Sequence, residues 1–459
     1  MTMEREAGRG SSPRARSHAA IARVAIALAA LAVAAPAHAG GEPLSFSAAV
    51  AAAARQTPAT RIAELRTREA RERETQARGL LLPSLTGTAS QVNRTMNLKT
   101  SGFTFPKTPG LSIPDLIGPY NVMDARLTLR QPLFDAASWY RMRAAHTGVA
   151  GTVAEGDAAA EQAANGAALA YLRAARTQAV VGAREADVRI AAELLTLAEW
   201  QQRAGTSPAI DTTRARTQVV AAQGAVLLAR NAAARARIDL ARALGVDPAA
   251  PPVPADTLSE TLGASDVPGD TAAATAFALA HRPELVAEQA KLGRSRTERT
   301  AIAAERLPRL DVSADWGVSG IHWNEAFPTR QYAAALTLPI VDGLRREARI
   351  AEQASVARES EVRLRDLDDQ IAADVGSALL DLASGADQLR VADERMALAE
   401  AELAQARERF TSGVSGNIEV INAQTSLVRA RDAQIDARYA IAAARVAVAR
   451  AAGVARTLH

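Results

Sequence analysis

The sequence predicts a mainly α-helical protein that also forms a transmembrane β-barrel, with the chain built from two similar halves. Three observations predict this fold class. Motifs recur at a nearly constant offset, two pairs of segments alternate between apolar and polar residues, and the remaining stretches have helical periodicity. Aromatic residues make up only 3% of the 459 residues, and alanine recurs throughout. This composition excludes a large aromatic core and favours close-packed helices.

The N-terminal segment 1–39 predicts a signal peptide. Arginines up to Arg23 precede an apolar run over residues 24–33, and Pro36-Ala37-His38-Ala39 supplies the small residues of a cleavage site. We expect cleavage near Ala39; a buried helix or a membrane anchor is the alternative. Without this segment the chain carries 49 basic and 48 acidic residues. It therefore has no basic excess with which to bind nucleic acid.

Motifs of residues 40–246 recur in residues 270–453, which indicates a duplication. The first recurring motif is a Leu-Pro pair, present as Leu82-Pro83 and as Leu307-Pro308. The second is a five-residue segment that contains Pro-Leu at residues 131–135 and Pro-Ile at residues 338–342. Residues 247–269, rich in Pro, Gly and Asp, predict a linker between the halves, and residues 454–459 a C-terminal tail. Each half is expected to run helix, β-hairpin, long helix and return helix.

The β-hairpins are predicted at about 83–133 and 308–341. Apolar and polar residues alternate strictly over residues 310–318, as in a strand with one apolar face. Each strand of about ten residues is long enough to cross a bilayer at a tilt. Ten of the 16 aromatic residues lie in residues 83–140 and 308–341. This concentration agrees with the aromatic girdles of membrane barrels, although aromatic residues also favour strands in general.

Four strands cannot close a barrel by themselves. An open four-stranded sheet in lipid would leave the backbone groups of its edges unpaired, and small barrels begin at about eight strands. Other copies of the chain must therefore complete the sheet. Three copies would give a barrel of twelve strands. The strand count alone does not exclude an assembly of four copies.

The rest of the chain predicts helices of two lengths. The long ones cover residues 137–203 and 343–410, each about 100 Å long if continuous. Four shorter helical stretches of about 36 residues are predicted at 45–80, 209–244, 271–306 and 417–452. Two short stretches placed end to end have about the length of one long helix. Long helices packed against stacked short ones would therefore form a bundle with even ends, which predicts a helical tube. In the second long helix, rows that begin at Ile371 and Val375 repeat every seven residues, the pattern of a coiled coil.

The chain resembles the TolC-like outer-membrane efflux protein family. The resemblance covers residues 44–453 and is carried by the duplicated Leu-Pro strand entries, the strand exits at 131–135 and 338–342, and the Gly-x-x-x-x-Ile-Asp/Glu tips. It implies a homotrimer with a 12-stranded barrel in outer-membrane lipid and a coiled-coil tube across the periplasm. It also implies two partners, a periplasmic adaptor and a proton-driven or ATP-driven inner-membrane transporter. Because no cysteine follows the signal, the chain is similar to the non-lipidated branch.

The resemblance also implies where the functional residues lie. The helical tips would dock the adaptor at the periplasmic end: Gly205, Thr206, Ser207 and Pro208 in the first half, and Gly413, Val414 and Gly416 in the second. Asp211 and Glu419 would begin the return helices, either as caps or as acidic groups that face the pore and favour cations. The family often has a second acidic residue where Asn422 stands and a basic residue where Ser415 stands. We therefore expect a closed state held more by hydrogen bonds than by ion pairs.

Motifs of catalysis and metal binding are missing from the sequence. It contains no G-x-x-x-x-G-K-[ST], H-E-x-x-H or G-x-S-x-G motif, and its six histidines form no ligand cluster. We expect no enzyme activity, no cofactor and no metal site. The expected function is a passive exit duct for drugs or other small molecules. The outer-membrane component of type I protein secretion and a soluble periplasmic coiled-coil scaffold are the alternatives.

Overall fold

The computed structural model describes residues 43–98, 100, 114–259 and 262–459. The expected signal peptide and its cleavage site near Ala39 lie outside the described residues. Within them, eight helices follow one another in two sets: α1 (Phe46–Gln56), α2 (Pro58–Gly79), α3 (Ala136–Arg203) and α4 (Ala209–Leu244), then α5 (Thr271–His281), α6 (Pro283–Ala304), α7 (Arg345–Thr411) and α8 (Asn417–Ala452). Corresponding helices have the same length, 11, 22 and 36 residues, except for the long pair of 68 and 67.

In the part of the chain that the structure describes, six strands form two sheets. Two of them, β1 (Pro43–Leu44) and β4 (Val253–Pro254), are short and pair in parallel. The other four are antiparallel in the order β2-β3-β5-β6: β2 (Ser84–Asn97), β3 (Leu116–Phe134), β5 (Arg309–Gly320) and β6 (Phe327–Thr337). Each half contributes one hairpin, and β3 joins β5 across the halves. The sheet is open, with β2 and β6 as its edges.

The two faces of the four-stranded sheet differ in polarity. Directly opposite residues of antiparallel strands point to the same side, so the register groups the side chains by face. One face carries Leu85, Leu129, Ala314 and Tyr332, which lie in adjacent positions across the four strands. The other face is polar: Thr86, Thr88, Asp124, Arg126, Thr128, Ser313 and Asp315. The sheet is thus amphipathic over β2, β3 and β5. On β6, Thr329 and Gln331 lie on the polar face, but Arg330 lies on the apolar face.

The two long helices organise the helical body. The longer, α3, packs against α4 over one part of its length and against α2 and α6 over another; α7 packs likewise on α8 and α6. At 68 residues and about 1.5 Å per residue, α3 is about 100 Å long. Within the described residues, no helix is both long and apolar enough to cross a membrane.

The helical stretch predicted at 45–80 is interrupted in the structure. Its two parts, α1 and α2, are separated at Thr57, whose backbone is extended with φ −65° and ψ 152°. The following Pro58 causes the break, because proline disfavours helical geometry in the residue before it. Thr57 also caps α2 by accepting a hydrogen bond from the backbone N–H of Thr60 at 3.4 Å. In the second half, Arg282 and Pro283 interrupt the predicted stretch 271–306 in the same way.

The seven-residue rows of α7 lie in the interior. The row of small residues that starts at Ile371, namely residues 378, 385, 392, 399 and 406, is buried throughout. In the other row, Val375, Leu389, Leu403 and Phe410 are buried, while positions 382 and 396 are half-buried. Because the first row is almost entirely alanine and glycine, the axis of α8 can lie close to that of α7.

Buried polar residues of α3 form hydrogen bonds with the linker and with the second half. Tyr171 of α3 is fully buried, and its hydroxyl accepts hydrogen bonds from the N–H groups of Ala255 and Asp256, both at 3.1 Å. Further along α3, Asp187 is only 4% exposed and accepts hydrogen bonds from Arg184 at 2.9 Å and from Arg431 of α8 at 2.6 Å. These bonds tie α3 to the linker and to α8.

Candidate functional site

The two helical hairpins, α3–α4 and α7–α8, end in tight turns that contain the candidate site residues. Gly205 and Gly413 are in the left-handed region, with φ of 74° and 69°, which a side chain would disfavour. In each turn a backbone N–H reaches back to the last helical turn: Thr206 N to Gln201 O at 3.0 Å, and Val414 N to Arg409 O at 2.9 Å. These are the C-terminal bonds of a Schellman motif. Both long helices therefore end in the same way.

The first tip is closed by side-chain hydrogen bonds. Ser207 donates to the carboxylate of Asp211 at 2.8 Å, and Thr206 donates to the carbonyl of Gln201 at 3.1 Å. Asp211 lies in the first turn of α4, where the N-terminal N–H groups favour a negative charge. Its exposed fraction is 7%. The carboxylate of Asp211 is thus held inside the tip.

The second tip presents its acidic residue differently. Glu419 lies in the first turn of α8, is half-buried, and forms an ion pair with Arg409 at 3.1 Å. Ser415 Oγ is buried and has no hydrogen-bond partner among the described residues, whereas the corresponding Ser207 binds its acid. Asn422 is exposed on α8. The structure therefore distinguishes Asp211, which is buried, from Glu419, which is accessible.

Two hydrogen bonds join the tips to each other. Asn417, which begins α8 and is only 1% exposed, donates from Nδ2 to the backbone carbonyl of Asp211 at 3.0 Å. Gln201, near the end of α3, donates from Nε2 to the carbonyl of Phe410 at 3.1 Å. Both acceptors are carbonyls in the terminal turns of the other hairpin. The tips therefore form one hydrogen-bonded unit within a chain.

The remaining tip residues are on the surface. Gly205, Thr206, Pro208, Gly413, Val414 and Gly416 are exposed. Val414 has an exposed fraction of 70%, and Ile210 and Ile418, at matching places in the first turns of α4 and α8, are 51% and 53% exposed. The end of the helical body thus combines two glycine-containing turns with three accessible aliphatic side chains.

Sequence comparison assigns the chain to a family. Over residues 49–246 and 276–454, its sequence matches the family described as Outer membrane efflux protein. The chain belongs to this family. The match falls in two segments that correspond to the two halves of the fold, and it confirms the assignment made from the Leu-Pro entries and the tips. No curated protein matches the sequence significantly.

Solved structures of low sequence identity have the same fold as this member of the efflux family. CusC is 17% identical with a TM-score of 0.74, and the match covers 89% of this chain and 91% of CusC. The Campylobacter jejuni outer membrane channel CmeC is 16% identical with a TM-score of 0.74, covering 89% and 86%. The Vibrio cholerae outer membrane protein VceC is 18% identical with a TM-score of 0.72, covering 89% and 96%.

Sequence reasoning missed the residues that link the two tips in this efflux family member. Gln201 and Arg409 stand at equivalent places in the two halves, yet Gln201 binds the other tip and Arg409 binds its own. Asn417 likewise replaces Ala209 of the first half. The sequence does mark these positions. When the two similar hairpins are aligned, each of these positions carries a polar or charged residue in one half and a different residue in the other.

Proposed function

We propose that this chain is the outer-membrane exit duct of a tripartite efflux system, and that it expels drugs or other small molecules. Three copies would close a 12-stranded barrel, and their helices would form a coiled-coil tube into the periplasm. The observation that carries the proposal is the amphipathic sheet with unpaired edges at one end of a helical body of about 100 Å. Membership of the outer membrane efflux protein family agrees with it.

The sheet supports the membrane part of the proposal. Unpaired backbone groups are costly in lipid, so the exposed edges of β2 and β6 need partners. A second copy offers the complementary edge, and rotation about one axis lets each β6 meet the β2 of the next copy. The apolar face that contains Leu85 and Leu129 would then contact lipid. The polar face that contains Asp124, Thr128 and Asp315 would line a water-filled passage.

The tips support the periplasmic part of the proposal. Their glycine turns and the exposed side chains of Ile210, Val414 and Ile418 are accessible at the end of the helices. Exposed aliphatic side chains surrounded by polar residues are typical of a protein–protein interface, and a helical adaptor could bind there. Glu419, accessible beside Arg409, would be repeated around the axis as an acidic ring that favours cations. The adaptor would join the duct to an inner-membrane transporter.

Deletion and fractionation test this proposal. If the chain is an efflux duct, a strain that lacks it becomes more sensitive to at least one toxic small molecule, and the protein fractionates with the outer membrane. Unchanged sensitivity together with loss of a secreted protein from the medium would favour type I secretion. Recovery of the protein in the soluble periplasmic fraction would contradict the duct and favour the soluble scaffold.

A further inference from the structure

A cavity of about 400 Å³ lies where the sheet meets the helices. It is bounded by the N-termini of α3 and α7, the end of α6, the first residue of β5 and the segment that follows β6. Both long helices thus direct the positive ends of their dipoles toward this region. The tips lie at the other end of α3 and α7, so this cavity is separate from the candidate site.

Positive charge predominates in the lining of the cavity. Eight charged residues line it, five arginines and three carboxylates: Arg141, Arg309, Arg345, Arg346 and Arg349, with Asp135, Glu305 and Asp342. The carboxylates are already engaged. Glu305 accepts hydrogen bonds from Arg141 and Arg349, and Asp135 accepts from the N–H of Ser138 at 2.9 Å and its hydroxyl at 2.7 Å.

Two arginines at the start of α7 have donors available. Arg346 is 6% exposed; its Nε makes no hydrogen bond among the described residues and lies 3.6 Å from Asp342 Oδ2. That oxygen is occupied by the backbone N–H of Arg346 at 3.0 Å. Arg345 is exposed at the rim of the cavity. Arginine donors of this kind fit the oxygens of a phosphate, often in pairs.

An exposed apolar surface lies beside the cavity. It consists of five aliphatic side chains, each next in sequence to a residue that lines the cavity: Leu336, Leu338, Ile340, Val341 and Leu344. Ile340 and Val341 are 84% and 87% exposed. Exposed apolar side chains grouped along the chain in this way are normally covered by a partner or by lipid. A cationic cavity beside it fits a ligand that has an anionic group and an apolar part.

Aromatic residues mark the same level of the fold. Trp139 and Tyr140, in the first turn of α3, lie edge to face with ring centroids 5.1 Å apart, and Arg143 stands over the Trp139 ring at 5.0 Å. Trp139 is 43% exposed. Tryptophan, tyrosine and arginine together are typical of the headgroup level of a membrane. The cavity, which is lined by Asp135 and Arg141 on either side of this pair, lies at that level.

We propose that this cavity binds the phosphate of an anionic phospholipid, whose acyl chains lie against the apolar surface of residues 336–344. The inference rests on the proposed outer-membrane location. The lipid would come from the leaflet on the helical side of the membrane, and its phosphate would accept hydrogen bonds from Arg345 and Arg346. Arg349, whose terminal nitrogens bind Glu305, would add positive charge beside them. A phospholipid is favoured over free phosphate because each of these exposed apolar residues is next in sequence to a residue that lines the cationic cavity.

Lipid titration of the detergent-purified full chain, followed by native mass spectrometry, tests this inference. The probes are dioleoyl phosphatidylglycerol, dioleoyl phosphatidylcholine and inorganic phosphate. We expect phosphatidylglycerol to bind more tightly than phosphatidylcholine. The double variant Arg345→Gln/Arg349→Gln should bind phosphatidylglycerol about tenfold more weakly, the effect of one lost charge-assisted hydrogen bond. Arg358→Gln, an exposed arginine further along α7, should leave binding unchanged.

Several results would overturn the inference. Equal binding of the two lipids, or unchanged binding by the double variant, would remove the arginines from a headgroup site. Inorganic phosphate that binds as tightly as phosphatidylglycerol would assign the cavity to a free ion, and absence of any bound lipid would assign the apolar surface to a neighbouring copy. If the double variant misfolds, Arg345→Gln alone repeats the test at an exposed position. Each measurement uses protein purified from the outer-membrane fraction. If the protein is not found in that fraction, the proposed location fails, and this outcome is distinct from a failure of lipid binding.

Discussion

Asn417 and Asp211 belong to different helical hairpins, yet a buried hydrogen bond of 3.0 Å joins them. A buried amide that loses its acceptor leaves a polar group without a partner, which costs about 1–3 kcal/mol. The Gln201–Phe410 bond adds a second connection nearby. At the residue scale, these two bonds join the tips of one chain.

The variant Asn417→Ala should loosen the tips. It removes the buried bond to the Asp211 carbonyl, so the backbone of residues 200–212 and 408–420 should exchange amide hydrogen faster, by up to about fivefold for a loss of about 1 kcal/mol. Hydrogen exchange followed by mass spectrometry measures this. Asn422→Ala, on the exposed side of the next turn, is the control. Equal exchange in the two variants would contradict the role of Asn417.

Glu419 and Asp211 should differ in their effect on ion selectivity. Glu419→Gln removes an accessible carboxylate and should reduce cation preference in planar-bilayer conductance. Asp211→Asn should leave that preference unchanged, because the side chain is buried behind Ser207. If Glu419→Gln leaves selectivity unaltered, Glu419 does not face the pore.

Tyr171 should make stability depend on alkaline pH. Burial, with the nearby Asp256 carboxylate, raises the pKa of Tyr171 from 10.0 to about 12. The folded state thus holds this proton more tightly than the unfolded state. The resulting stabilisation is complete below pH 10 and is lost as the pH rises from 10 to about 12. Thermal unfolding of the wild type should therefore weaken more steeply over this range than that of Tyr171→Phe. Parallel pH profiles would contradict the assignment.

At the scale of elements, the helical periodicity of the sequence predicted where the helices lie, but it did not predict where two of them are interrupted. Long α-helical periodicity identified α3 and α7, and the seven-residue rows of α7 identified its buried side. The breaks at Thr57 and Arg282 were missed although each of these residues precedes a proline, Pro58 or Pro283, which marks a helix boundary in the sequence. Likewise, the glycines located the tips. The differences between the halves mark Asn417 and Gln201 in the sequence, but their partners could not be predicted, because those lie on a hairpin that is distant in sequence.

Gly385 should tolerate no large side chain. A Cβ built there would lie 3.4 Å from the Cα of Ile441, so anything beyond alanine meets the backbone of α8. Gly385→Leu should destabilise the fold by about 1–3 kcal/mol through overpacking. Gly376→Leu is the matched control on the same helix, since nothing lies within 4 Å of its Cβ. Denaturation followed by circular dichroism compares them; equal midpoints would contradict close packing of α7 and α8.

At the scale of the whole molecule, the duplication produces an unfinished sheet. The chain supplies four antiparallel strands, one apolar face and one polar face, and two edges that its own strands leave open. Helices of matching length extend from this sheet to paired tips. We propose that further copies of the chain complete the sheet, with β6 of one chain paired to β2 of the next.

Cysteine cross-linking measures this pairing directly, because the chain has no cysteine of its own. Ala333→Cys on β6 is combined, in turn, with a cysteine at each residue of β2. Disulfides form only when the Cα atoms approach to about 4–7 Å. For protein taken from the outer membrane, closure of the barrel by three copies predicts covalent trimers at one register of β2 and none with Ala333→Cys alone. A ladder that ends at dimers or tetramers, or the absence of cross-links at every register, would contradict it.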